Sequence, residues 1–184
     1  MGIVKTLRMI PQVGKFEKIS PTEFDRYNSE NDFDTMTKAQ LNDSYYHIDF
    51  ADISPRRSTS GSAGYDFKAW ADFTIPAQCS IVIPTCMKCR IENGWMLCVY
   101  PRSGMGFKYG VHLANTIGVI DSDYYGCNAN DGHIMVKLTN PSKADITIKQ
   151  GEKFCQGIFI PFGVTEDDNP VHNERSGGMG STGK

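Results

Sequence analysis

The chain has 184 residues, 18 of them glycine, and a formal charge of −2 from 19 basic and 21 acidic side chains. Its length suits one domain with a real core, or one domain and a small appendage. The balanced charge argues against a nucleic-acid or membrane-surface protein, and the sequence has neither a signal-peptide core nor an apolar run near the ~18 residues of a membrane span.

Residues 1–50 differ in texture from the remainder. Phe16-Glu-Lys-Ile-Ser20 reads as a strand. Ser20-Pro-Thr-Glu23 reads as a helix start, with a hydroxyl cap, Pro at the first helical position and Glu three residues after the cap. Polar, turn-like residues from Asn28 to Asp34 keep that helix short, and a second short helix around Thr37 to Leu41 has little support. From Ser62 onward the pattern is strand, turn, strand. Tyr65, Phe67 and Ala69 alternate with polar positions; Ile81-Val-Ile83 and Cys89-Arg-Ile91 follow, broken by Pro84, which suits an edge or a bulge. Gly94 to Pro101 forms another strand. Ile134, Val136 and Leu138 share one face, as do Ile146 and Ile148. Phe154 to Phe162 is nearly all apolar, the composition of a strand buried on both faces. Asn130-Asp-Gly132 is hairpin chemistry, because Asp-Gly tolerates positive φ. Short strands at this spacing predict an all-β sandwich or barrel.

Some patterns invite chemistry that the sequence does not support. Six cysteines spread through strand-like segments read as free thiols in a reducing cytoplasm. Cys86-Met-Lys-Cys89 has zinc-ligand spacing, but no second close pair accompanies it, and a separation of three along a strand sends the thiols to opposite faces. Gly178-Met-Gly-Ser-Thr-Gly-Lys184 approaches a P-loop, yet the sequence stops before the hydroxyl residue and helix which that motif requires. What survives is a Gly-rich tail whose N–H groups, with Ser, Thr and Arg, can close around phosphate. His47, His112, His133 and His172 have no metal or triad spacing and read as packing or surface residues.

The densest chemistry lies in residues 115–126, Asn-Thr-Ile-Gly-Val-Ile-Asp-Ser-Asp-Tyr-Tyr-Gly. A short apolar strand runs into Asp121, Ser122, Asp123 and Tyr124. A carboxylate at such a turn can face a pocket as a general base, with the Tyr as a flat wall for a sugar or base. A turn-capping Asp followed by a core Tyr has the same sequence. Four further stretches accompany it in order: Ser62-Ala-Gly-Tyr-Asp66, Pro101-Arg-Ser-Gly-Met-Gly106, Gly151-Glu-Lys-Phe-Cys-Gln156 and Arg175-Ser-Gly-Gly-Met-Gly-Ser-Thr-Gly183. Together the five resemble the five ordered motifs of the trimeric dUTPase family, over about two-thirds of the chain.

The resemblance implies a jelly-roll-like β-barrel over 51–170, a homotrimer whose sites each draw on three subunits, and a mobile arm at 171–184 that closes over the nucleotide. Residues 1–50 read as a strand plus a helical insertion that many members lack; the resemblance says nothing of its role, and surface packing or a protein partner would account for it. The implied reaction is Mg²⁺-assisted hydrolysis of dUTP to dUMP and pyrophosphate. Asp121 matches the general base that activates water against the α-phosphorus. Tyr124 matches the aromatic that packs on the deoxyribose and excludes a 2′-hydroxyl. Asn115 matches a position that pairs with the uracil edge, and Gly118 a close backbone approach nearby. Arg102, Ser103 and Gly104 resemble the phosphate grip, Gln156 a further phosphate contact, and Asp66 a support of the Mg²⁺ site through water. Arg175, Met179, Gly180, Ser181 and Thr182 resemble the arm. Met179 stands where the family usually places an aromatic over the uracil, which implies weaker closure. Tyr125 to Gly132 replaces the usual compact turn with a larger hairpin. Two alternatives remain open. A dCTP deaminase shares the fold, although Pro101 to Gly110 lacks an additional Arg and no Glu follows Tyr124 nearby. A dUTP-sensing interaction module with slow turnover would use the same pocket.

Overall fold

The computed structural model describes residues 10–30 and 45–170. The second helix expected around Thr37 to Leu41, and the arm with Arg175, Met179, Gly180, Ser181 and Thr182, lie outside the described residues. In chain order the elements are β1 (Gly14–Lys18), α1 (Pro21–Glu30), α2 (Phe50–Ile53), β2 (Arg56–Arg57), β3 (Tyr65–Lys68), β4 (Phe73–Ile75), β5 (Ser80–Pro84), β6 (Met87–Ile91) and β7 (Trp95–Pro101). Then come α3 (Ser103–Tyr109), β8 (His112–Leu113), β9 (Gly118–Ile120), a 3₁₀ turn (Ser122–Tyr124), β10 (Met135–Thr139), β11 (Ile146–Ile148) and β12 (Lys153–Pro161). Among the described residues no helix is long and apolar enough to cross a membrane.

The chain is mostly β, as its alternation predicts, but among the described residues the hydrogen bonds do not close the barrel expected over 51–170. The strands form four sheets, ordered β1-β6, β5-β10-β8, β11-β4 and β2-β3-β12-β7-β9. A corner after β5 shows why the ladders break. Pro84 has no N–H to donate, Cys86 turns the chain at φ 58°, and β6 resumes in another sheet. The Thr85 N–H and hydroxyl both donate to Ile134 O, at 3.1 and 2.7 Å, so the corner's polar groups are satisfied without a strand partner.

One core serves all four sheets. Trp70, Phe67, Phe154, Ile75, Ile83, Met87, Leu97, Leu138 and Ile148 are fully buried in it, each contributing roughly 1.5–3 kcal/mol where the side chain is large and apolar. Ile19, Phe24 and Tyr45 belong to the same cluster. Phe24 stacks on Tyr45 with centroids 3.8 Å apart and meets Trp70 edge-on at 5.6 Å. The described part of 1–50 is thus packed into the main core.

Helix α1 begins where the cap predicts: the Glu23 N–H donates to Ser20 Oγ at 3.2 Å and the Phe24 N–H to Ser20 O at 3.1 Å. It runs on to Glu30, past the polar residues expected to stop it, because Phe24 and Tyr27 give it a buried apolar face. Strand β12 also departs from expectation. Phe154, Cys155 and Gly157 are buried, while Ile158, Phe159 and Ile160 are only half-buried. β3 pairs with β12 only as far as Gly157, and beyond that point β7 is its one ladder partner among the described residues.

Candidate active site

Three distant motifs converge on Asp66 in β3. Its Oδ2 accepts from Lys153 Nζ and from Ser58 Oγ, both at 2.8 Å, and its Oδ1 lies 3.2 Å from Arg102 Nε. Lys153 Nζ also donates to Ser58 Oγ at 2.8 Å. Burial acts to raise the Asp66 pKa, but the Lys153 and Ser58 hydrogen bonds and the Arg102 charge outweigh it and hold the carboxylate below its usual range. Asp66 therefore serves as the counter-ion that fixes Arg102 and Lys153 side by side.

Strand β12 supplies two of these neighbours through an irregularity. Lys153 pairs with Lys68 and Cys155 with Phe67, so the register slips between them by one residue. In a regular strand residues three apart face opposite ways; the extra residue restores Lys153 and Gln156 to one face. Gln156 pairs with Asp66 and donates through Nε2 to Pro101 O at 3.4 Å. Its amide lies against Gly64, where a Cβ would come within 2.4 Å of Gln156 Oε1. Arg102 precedes α3 in extended conformation (φ −73°, ψ 144°), and Met105 and Gly106 donate to its carbonyl. The N–H groups of Ser103 and Gly104, exposed at the start of α3, have no intrahelical acceptor to serve. A cleft of about 550 Å³ opens here, lined by Arg102, Gly104, Met105, Lys108 and Lys153 among others. Arg and Lys side chains with glycine N–H groups are donors suited to phosphate oxygens.

The second half of the site is the turn after β9. β9 lies against β7 with Gly118 opposite Val99 and Ile120 opposite Leu97. A Cβ on Gly118 would sit 3.3 Å from Val99 Cβ, so this glycine lets the strand approach. Thr116 at φ 66° and the 2.7 Å bond from Ile117 N–H to Asn115 O make a tight bend that leaves Asn115 exposed. Asp121 follows β9 directly. It is exposed, its carbonyl accepts from Tyr124 N–H at 3.2 Å, and its carboxylate makes no capping bond to the turn. The carboxylate is not committed to capping, the ordinary use of an Asp at such a place. Tyr124 is buried, 4% exposed. Its hydroxyl donates to His133 O at 2.9 Å and accepts from Asn130 Nδ2 at 2.7 Å.

Within one chain these two halves are apart. Arg102 follows the end of β7, while Asp121 lies just past the Leu97–Ile120 pair. The five residue steps from Leu97 to Arg102 span about 17 Å of extended strand. Sequence reading missed Lys153 and Ser58 on Asp66 and Lys108 at the cleft. Lys153 lay inside the fourth motif, but only the bulge reveals that it faces Asp66. Among the described residues no group of three or more His, Cys, Asp or Glu is placed to hold a metal. That donor set does not fit an ion caged by protein. It does fit a hydrated Mg²⁺ carried by phosphates, since Asp66 Oδ1 retains capacity to accept from a water.

The family model for dUTPase matches residues 51–183. The deoxyuridine 5'-triphosphate nucleotidohydrolase of Lactococcus lactis is 41% identical over 130 residues, 70% of this chain and 87% of that protein. The protein of the same name from Pectobacterium carotovorum is 37% identical over 139 residues, 71% of this chain and 86% of that one. The dUTPase structure from Streptococcus mutans superposes with a TM-score of 0.61 at 34% identity, covering 66% of this chain and 94% of that one. With the first, second and fourth motifs gathered on Asp66 and the third forming an exposed acidic turn, the chain belongs to the dUTPase family.

Proposed function

We propose that this chain hydrolyses dUTP to dUMP and pyrophosphate, with Asp121 as general base, in a homotrimer whose sites are completed across subunits. The observation that carries the reading is the convergence of three separate motifs on the Asp66–Arg102–Lys153 cluster, beside a cleft of phosphate-binding size. The relatives named above add the substrate. Asp121 takes a proton from water; the water oxygen bonds to the α-phosphorus; the bond from that phosphorus to the bridging oxygen breaks and pyrophosphate leaves. Arg102, Lys153 and Gln156, with the N–H groups of Ser103 and Gly104, hold the phosphate oxygens as negative charge moves onto the leaving group. Mg²⁺ brought in on the triphosphate, steadied by Asp66 through water, would supply further charge neutralisation there. Asn115 addresses the uracil edge and Tyr124 the deoxyribose, and the arm residues Arg175, Met179, Gly180, Ser181 and Thr182 close over the nucleotide.

The separation of Asp121 from Arg102 along β7 favours the trimeric reading, because a single chain does not place base and phosphate grip at one substrate. All six cysteines are free thiols and five are buried, which suits work on a nucleotide in a reducing cytoplasm. Nothing in the described geometry favours the deaminase or the interaction module. The test is pyrophosphate release from dUTP, dCTP, dTTP and UTP with Mg²⁺, for wild type and Asp121→Asn. Release from dUTP alone, lost in the variant, is expected. Ammonia release from dCTP, or undiminished turnover in the variant, would overturn the reading.

A further inference from the structure

The hairpin that follows the catalytic turn is tied to the N-terminal segment at both of its ends. Tyr125 OH donates to Glu17 Oε2 in β1. Ser20 N–H, at the start of α1, donates to Asp131 Oδ2 at 2.8 Å, and Lys88 Nζ holds the same carboxylate at 2.8 and 3.0 Å. Glu23 Oε1, on the buried side of α1, lies 3.1 Å from His133 Nδ1. The Cys86 N–H donates to His133 Nε2 at 3.2 Å, so that nitrogen is the acceptor and the proton sits on Nδ1, aimed at Glu23. Arg26 donates to both oxygens of the same carboxylate, through Nε to Oε2 at 2.8 Å and a terminal nitrogen to Oε1 at 3.0 Å. His133 and Glu23 are 0% and 4% exposed, so each fixes the other away from water.

The contacts do not stop at the hairpin. The carbonyl of His133 accepts the Tyr124 hydroxyl, and Asn130 Nδ2 donates to that hydroxyl. Gly132 presses backbone to backbone against the turn: a Cβ there would stand 2.6 Å from Tyr124 O and 3.0 Å from Gly126 N. The Gly126 N–H donates to Asp131 O at 3.3 Å. A shift of residues 131–133 therefore reaches Tyr124 with no compliant side chain between them.

We infer that Glu17, Ser20 and Glu23 form a positioning frame for the turn that carries Asp121 and Tyr124, and that Glu23, through His133, sets how strictly the site prefers dUTP over UTP. The inference rests on the dUTPase reading, in which Tyr124 meets the sugar. Glu23 and His133 are positioning residues: they act on the sugar wall through Tyr124. Removing the Glu23 carboxylate leaves the buried Nδ1–H of His133 without its acceptor and frees the ring to move, whereas Gln at 23 keeps an acceptor oxygen in place.

Two measurements on the full chain decide this: amide hydrogen exchange across residues 121–134, and kcat/KM for dUTP and for UTP. The variants are Glu23→Ala, Glu23→Gln and the milder Tyr125→Phe, which cuts the tie to Glu17 without emptying the core. In Glu23→Ala, exchange in 121–134 speeds up while the β12–β7 ladder stays protected, and the dUTP/UTP ratio of kcat/KM falls about tenfold or more. Tyr125→Phe moves both readouts the same way by less, and Glu23→Gln restores the ratio. A merely structural Glu23 would lower the melting temperature and leave the ratio unchanged in the folded fraction. That result, or unchanged exchange in both Glu23→Ala and Tyr125→Phe, would overturn the inference. Should the wild type fail to hydrolyse dUTP, the functional reading falls and the specificity claim with it; exchange alone then decides whether the frame holds the turn.

Discussion

Glu23 was chosen by its sequence for one task and is given another by the fold. Three residues after Ser20, it has the spacing to reach back to the Ser20 N–H and close a capping box. Asp131 takes that N–H instead, from a distance of 111 residues in the chain, and Glu23 turns inward to His133. The cap on Ser20 was legible because it is local; its replacement partner was not, because only tertiary packing brings Asp131 to the helix start. The same arrangement sets a pH dependence. Burial is the largest influence on His133 and pushes its pKa below the ordinary 6.5, against the smaller upward pull of the Glu23 hydrogen bond. The bond from Cys86 N–H works in the same direction as burial, since protonating Nε2 would break it. In the unfolded chain His133 takes up a proton below about 6.5, while in the folded chain it stays neutral to lower pH. The unfolded state then binds more protons, so stability falls as pH drops below that value. Glu23 is itself held below the ordinary 4.5: burial opposes its charge, but His133 and Arg26 outweigh it, so its contribution is lost only in more acid solution. Denaturant midpoints at pH 7.5 and about 5.5 are expected to separate for wild type and to draw together in His133→Asn, which cannot titrate. An equal separation in both would assign the loss to other groups.

At the scale of elements, periodicity located strands well and their edges poorly. Ile134, Val136 and Leu138 are buried on one face, and the Ile146 and Ile148 pair behaves alike. Pro84 ends β5, an outer strand of its sheet, as an imino acid should. The bulge in β12 and the half-exposure beyond Gly157 had no local signature, because each depends on which strand lies alongside. The Asn-Asp-Gly turn was legible in more detail. Asp131 and Gly132 adopt φ of 55° and 76°, and His133 N–H closes the turn on Asn130 O at 2.8 Å. What the turn does there was not legible, since composition does not show that Gly132 lies against Tyr124. Two costs therefore meet in Gly132→Ala: a left-handed φ for a residue with a Cβ, and a methyl placed 2.6 Å from a carbonyl oxygen that must move. The expected loss exceeds about 1 kcal/mol of unfolding free energy. In the folded fraction kcat falls as well, because the Tyr124 backbone is what yields. Gly126→Ala, also at positive φ but with open space around its missing Cβ, is the control: it should cost stability with a smaller effect on kcat.

At the scale of the molecule the five motifs named a family, but the described residues divide the first four of them between two places. Arg102, Lys153, Asp66 and Gln156 gather at one end of β7, and Asp121 lies near the other. Order along the sequence cannot reveal this, because motif order says nothing of how far apart the fold places the motifs. The division makes a sharp prediction for mixed assemblies. In the proposed reading Asp121→Asn removes the base and leaves the phosphate cluster whole, and Arg102→Ala does the reverse. Each variant alone is expected to be nearly inactive toward dUTP. If a site takes its base from one subunit and its grip from another, random trimers from equal amounts of both variants contain sites with each part intact. The chance that the base donor keeps Asp121 is one half, and the chance that the grip donor keeps Arg102 is also one half. About a quarter of the sites should therefore work, given free exchange of subunits in a closed symmetric ring. Co-refolding the two variants at equal concentration and measuring pyrophosphate release tests this directly. Recovery to about a quarter of wild-type kcat places base and grip on different chains. No recovery from trimers shown by mass to be mixed would return both to one subunit, and the approach of Asp121 to Arg102 would then have to come from movement within the chain.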